Sequence, residues 1–168
     1  MGNGIQITGL SSSFDLSASN FATDVPALFS LGNSVSKAAS TLPATTSANL
    51  FTIAGGRILL TAIVGQVTTI VQAQACNLSL AFDPTVAGTN VALCGVLNIT
   101  GNVVGSLYSI TGVASDALMN GLAVTSMSTQ VILQPGAIVW TTSATNTGQA
   151  SWKMWYLPLD TGVTVVAA

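Results

Sequence analysis

The side chains able to do chemistry are few. Asp15, Asp24, Asp83, Asp116 and Asp160 supply every carboxylate, Lys37, Arg57 and Lys153 every cation, and the chain has no Glu and no His. Without His there is no imidazole for proton transfer or metal binding. A glycosidase needs two carboxylates on either side of the scissile bond. Distant Asp residues can meet in a fold, but no two of these share a local motif. Asp83 stands before Pro84 and Asp160 before Thr161-Gly162, both turn positions. Asp116 suits a cap. The expectation is a non-enzyme, with no catalytic residue, no cofactor-binding residue and no metal ligand assigned. Gly2-Asn3-Gly4 opens like a dinucleotide turn, but Ile7 stands where the third glycine belongs. Gly101 and Gly105 spell GxxxG in a strand–turn context, which removes the helix-dimer reading.

Cys76 and Cys94 are the two thiols. A hairpin centred on Thr85 places them opposite each other, as in a disulfide. The apolar pattern argues otherwise. Leu78, Leu80 and Phe82 share one face, as do Val91, Leu93, Leu97 and Ile99. Pairing these faces puts the two cysteines on opposite sides of the sheet, because one residue of slip flips every side chain. Two buried free thiols are expected. Two cysteines without His make no zinc site. Asn77-Leu78-Ser79 and Asn98-Ile99-Thr100 match the glycosylation acceptor at a frequency that chance supplies.

Aromatic residues gather late in the chain, at Trp140, Trp152, Trp155 and Tyr156. In residues 151–156, alternation sends Trp152, Met154 and Tyr156 one way and Ser151, Lys153 and Trp155 the other. One set belongs to the core. The other leaves Trp155 facing a partner, a glycan or a covering layer.

The elements that position these residues read as strands. Charged residues are 5% of the 168, against about 25% in an average domain, and apolar residues are 49%. Three cations cannot neutralise a run of phosphates, so no nucleic-acid partner is expected. The most apolar stretch, residues 50–75, is interrupted by Gly55-Gly56, Arg57, Gln66, Gln72 and Gln74 and is rich in β-branched residues. It reads as strands, and no membrane association is expected. The start, MGNGIQITGL, lacks the positive region of a secretory signal, and Gln6 occupies the Ser/Thr position of a myristoylation site. A cytoplasmic product, or one that leaves the cell by lysis, is expected.

Residues 1–49 are rich in Ser, Ala and Thr with scattered single apolars. They read as an N-terminal arm, partly extended with a short helix; extra strands of the main domain are the alternative. From residue 50 to 168, short β-branched runs alternate with turn residues. Strands are expected at 50–53, 57–64, 67–75, 77–82, 91–99, 103–111, 131–133, 137–142, 150–157 and 163–166. Gln134-Pro135-Gly136-Ala137 has the Pro and Gly placement of a type II turn linking two antiparallel strands. Residues 114–128 read as a one-turn helix or a long loop. The fold class is therefore all-β: an antiparallel β-sandwich, jelly-roll-like, with the N-terminal arm; an Ig-like sandwich is second. A surface built from Ser, Thr, Asn, Gln and Gly has weak charge repulsion, and its sheet edges lack lysine gatekeepers. Self-association is expected.

Residues 51–168 resemble a class of tailed-bacteriophage virion proteins. The likeness rests on Gly55-Gly56-Arg57-Ile58 leading into Gly65-Gln66-Val67-Thr68-Thr69, and on Gln72-Ala73-Gln74-Ala75. It continues through Ala81-Phe82-Asp83-Pro84-Thr85, Leu93-Cys94, Gln134-Pro135-Gly136-Ala137-Ile138 and Thr147-Gly148-Gln149 with Trp152. It ends with Tyr156-Leu157-Pro158-Leu159-Asp160-Thr161-Gly162. The resemblance implies a small structural subunit of the virion, of the capsid decoration (cement) type. It further implies a homotrimer, the major capsid protein as partner, and an arm that reaches over the shell. Two other expectations compete: a tail or fibre component, and a carbohydrate-binding β module using the Trp155 face.

Overall fold

The computed structural model describes residues 31–168 apart from Ala87. Twelve strands form among them. They are β1 (Asn33–Thr41), β2 (Ser47–Ala54), β3 (Ile58–Thr69), β4 (Asn77–Pro84), β5 (Val91–Ala92), β6 (Leu97–Asn98), β7 (Leu107–Ser109), β8 (Met119–Gly121), β9 (Val131–Leu133), β10 (Gly136–Thr142), β11 (Gln149–Pro158) and β12 (Thr164–Ala167). One sheet runs β1-β11-β3-β7-β8, with β9 also on β3. The other runs β12-β2-β10-β4-β5, with β6 also on β4. All of this pairing is antiparallel.

The strand order is that of a jelly roll. β5 and β6 both pair β4 and act as one interrupted strand. β7 and β9 both pair β3 along one line, against Val64–Gln66 and Ile58–Leu60, and act as another. Eight strands then remain besides β8 and β12, and they pair first with last: β1 with β11, β2 with β10, β3 with β7/β9, β4 with β5/β6. That is one long hairpin rolled into two facing sheets. β12 extends the edge at β2, and β8 extends the edge at β7.

Alternation explains which side chains meet between the sheets. On β11, Ala150, Trp152, Met154 and Tyr156 are buried while Ser151, Lys153, Trp155 and Leu157 turn outward. On β4, Leu78, Leu80 and Phe82 are buried. β3 keeps its phase through an irregularity. Trp155 pairs Ala62 but Tyr156 pairs Leu60, so Thr61 is an extra residue. This bulge lets Ile58 and Leu60 before it, and Ile63, Gly65 and Val67 after it, all face the core. The Thr61 hydroxyl donates to the Leu31 carbonyl oxygen at 2.5 Å. Trp152 lies at the centre of the core, stacked on Tyr108 at 6.1 Å and edge-on to Trp140 at 5.9 Å. Gly65 makes room for it: a Cβ there would come within 2.8 Å of the Trp152 ring.

Several expectations change. The domain does not begin at residue 50. β1 and the first three residues of β2, 47–49, lie in the zone assigned to the arm, and β1 pairs β11 along Asn33–Thr41. A serine-rich strand at a sheet edge buries little, so it carries no apolar stripe by which to recognise it. The rest of the arm, residues 1–30, lies outside the described residues. Residues 57–64 and 67–75 are not two strands. Gly65-Gln66 lies inside β3, which ends at Thr69. The expected strand 91–99 is two short pieces, and 103–111 shrinks to β7.

Gln134-Pro135-Gly136 does not close a hairpin. It carries the chain from β9 in one sheet to β10 in the other, and Gly136 lacks the positive φ of a type II turn. Glycine is needed there for space, since a Cβ would stand 2.4 Å from the Asp83 carbonyl oxygen. Residues 110–130, read as a helix or loop around 114–128, contain a turn closed by Asp116 N–H to the Val113 carbonyl at 3.1 Å, then β8. Among the described residues no helix is long and apolar enough to cross a membrane. Residues 50–75 supply the end of β2, all of β3 and a loop.

Candidate interaction surfaces

Asp15 and Asp24 lie outside the described residues. The other three carboxylates lie on different elements of the fold. Asp83 is near the end of β4. Asp116 accepts from the Thr111 hydroxyl at 2.8 Å, so it ties a loop rather than capping a helix. Asp160 accepts three hydrogen bonds from Arg57: from its backbone N–H at 2.7 Å, Nε at 3.0 Å and Nη2 at 2.8 Å. Both partners are solvent-accessible. The hydrogen bonds from the Arg57 side chain and then its backbone N–H hold the Asp160 carboxyl down to about 2, and the same pairing raises Arg57. Gly55 packs against this corner at φ +78°, where a Cβ would meet the Gly162 carbonyl. The Gly55-Gly56-Arg57 and Asp160-Thr161-Gly162 motifs, a hundred positions apart in sequence, thus form one structural joint between β2/β3 and β11/β12. Among the described residues no group of three or more His, Cys, Asp or Glu gathers as metal ligands do.

Cys76 and Cys94 are free and buried, as expected, but both lie in one core rather than on opposite sides of the sheet. The Cys94 sulfur lies 3.3 Å from the Leu80 N–H, and burial pushes its thiol pKa up. Such a thiol is a poor nucleophile. The hydroxyl of Tyr108 accepts from the Asn102 side-chain amide at 2.9 Å, and burial raises its pKa as well. These groups are structural.

Two surface features have shape. The first is a slot of about 460 Å³ where the sheets part beside β5 and β9. Its walls hold Phe82, Val91, Leu93, Val131, Ile132 and Leu133. Val91 and Ile132 are more than half exposed there. The two interrupted strands cause this opening, since neither is long enough to cover the core. Farther along, the same edge is closed. The Gly95 N–H donates to the Asp116 carbonyl at 2.7 Å, and the Leu118 N–H to the Gly95 carbonyl at 3.2 Å.

The second is a hollow of about 360 Å³ on the outer face of the β1-β11-β3-β7 sheet. The pairing builds it row by row. Ser36 lies beside Lys153 and Lys153 beside Val64; Ser151 lies beside Gln66 and Gln66 beside Leu107. Trp155 closes one end, half-buried, with the Lys153 ammonium over its ring at 5.0 Å from the centroid. Lys37 stands on the β1 side, its ammonium donating to the Ala168 carbonyl oxygen. Sequence alternation placed Trp155 and Lys153 outward together. It missed Ser36, Lys37, Val64 and Gln66 as their neighbours, because only strand pairing brings them there.

Comparison with known protein families, with curated proteins and with solved structures finds no match to this chain. The fold class is all-β, two packed antiparallel sheets, and function rests on the chain's own surfaces.

Proposed function

We propose that the chain is a non-enzymatic virion structural protein: a capsid decoration subunit that binds and stabilises a bacteriophage head. In this reading it assembles with the particle in the host cytoplasm, contacts the major capsid protein, and associates with itself as a trimer. The observation that carries the reading is the surface. A jelly roll with 5% charged residues exposes Val86, Val91, Val96, Leu122 and Ile132, each more than half accessible. Such a surface suits permanent contact with other subunits better than free solution. The resemblance of residues 51–168 to tailed-phage virion proteins supplies the particular assembly. Use of jelly rolls in viral shells adds a fold-level analogy only.

The test is reconstitution. Purified protein is mixed with heads that lack it, then sedimented and heated. Co-sedimentation at a fixed ratio to the major capsid protein, with a raised temperature of head disruption, is the expected result. Protein that stays in the supernatant, or appears only with isolated tails in a mass-spectrometric inventory, rejects the head assignment.

A further inference from the structure

The hollow beside Trp155 brings together an exposed cation, an indole, an amide and hydroxyls. Lys153, one of the chain's three cations, projects over it, and among the described residues no carboxylate lines it; Lys37 borders it on β1 but pairs the inward-facing Trp152 and sends its ammonium to the Ala168 carbonyl oxygen. The third cation, Arg57, makes the one ion pair found among the described residues. In a chain of net charge −2, Lys153 gives this face one positive charge that no ion pair among the described residues takes up. It also offers an indole, an amide and hydroxyls side by side: Trp155, Gln66, Ser36 and Ser151.

We propose that this outer sheet face binds an acidic saccharide, a pyranose unit carrying a carboxylate. The Lys153 ammonium, exposed and over the Trp155 ring, receives the carboxylate. A charge-assisted hydrogen bond of this kind is roughly twice as strong as a neutral one. The indole surface left beside the lysine takes the C–H face of the sugar ring. Gln66 offers a donor and an acceptor, and Ser36 and Ser151 offer hydroxyls, for the sugar hydroxyls. Dimensions agree. Ser151 and Trp155 are four residues apart on β11, about 13 Å along the strand, and Ser36 lies one strand away, about 4.8 Å. That is room for two linked rings. A bare phosphate or a peptide carboxylate uses the lysine but leaves the indole and the amide unused.

The protein reports on itself. Trp140 and Trp152 are 1% and 2% exposed, so Trp155 is the accessible indole. Full-length protein is titrated with digalacturonate, with sialyllactose, and with neutral digalactose. Trp fluorescence is followed, and calorimetry run in parallel. Expected is saturable binding of at least one acidic probe with Kd near about 1 mM or tighter, at least about tenfold tighter than digalactose, and weakening with salt. Lys153→Met should weaken acidic binding about tenfold and leave digalactose unchanged. Trp155→Leu should weaken all probes, and Gln66→Leu likewise; unchanged thermal midpoints show that these surface variants fold. The proposal is overturned if no acidic probe binds, if the neutral sugar binds equally well, if Lys153→Met binds like wild type, or if calorimetric binding survives Trp155→Leu. None of these outcomes depends on capsid attachment.

Discussion

The two faces of β11 use the same residue types for different ends. Inward, Trp152 has 2% of its surface exposed and touches Tyr108 and Trp140. Outward, Trp155 lies three positions on, half-buried, with an ammonium over its ring. Tryptophan in both places shows that residue identity does not assign a role. What decides is how many neighbours the opposite sheet supplies. The inner face has a second sheet about 10 Å away; among the described residues, the outer face has only what its own sheet lends.

The largest expected effect breaks the inner face. Trp152→Ala removes the centre of the aromatic cluster and should cost about 3–5 kcal/mol in urea unfolding. Trp155→Ala should cost less, about 1–2 kcal/mol, because it loses one cation–π contact and only the partial burial that its own sheet supplies. Equal losses at the two positions would dissolve the distinction between the faces. Gly65→Ala comes next. Its Cβ would stand 2.8 Å from the Trp152 ring, so the ring must shift. A loss of about 1–3 kcal/mol is expected, with a change in near-ultraviolet circular dichroism from the displaced indole.

A smaller effect concerns the joint at Arg57. The Asp160 carboxyl is depressed to about 2 in the fold, against an ordinary 3.8. A depressed acid stabilises above its unfolded value, and that contribution is lost as pH falls from about 4 toward 2. Arg57→Gln should return the Asp160 titration, read by carbon NMR, toward 3.8 and flatten stability across that window. A midpoint that stays near 2 would mean that the Arg57 backbone N–H alone holds the carboxylate.

The smallest expected effect concerns the thiols. Denaturing, non-reducing labelling should count two free thiols per chain, and native labelling should be slow because both are buried. A count of zero under denaturing conditions would contradict the free thiols seen in the fold.

Much of this was legible before any coordinates. The alternation in residues 151–156 fixed which β11 side chains face inward, because a strand has a period of two and one face must be dry. The thiols are free as expected, but not because they lie on opposite faces: both are buried in one core, and extra residues between Val91 and Leu97 place Cys94 beside Leu80 while Cys76 meets Ile99. The all-β class followed from β-branched runs broken by turn residues. Periodicity could not reveal β1, a mostly exposed edge strand with no run of buried apolar residues, so its signal was that of an arm. Nor could it carry the phase through Leu60-Thr61-Ala62, where a bulge inserts one residue for which no local chemistry calls.

By itself, then, the sequence determined the class of fold and the outward turn of Trp155 with Lys153. These depend on local period and on residue type. Tertiary structure alone decided that β5 and β9 leave a slot, that Arg57 meets Asp160, and that Gln66 and Ser36 flank the Lys153 row. Those are relations between strands far apart in the chain. They are set by which strand lies beside which in the rolled hairpin, and no short window of sequence contains that information.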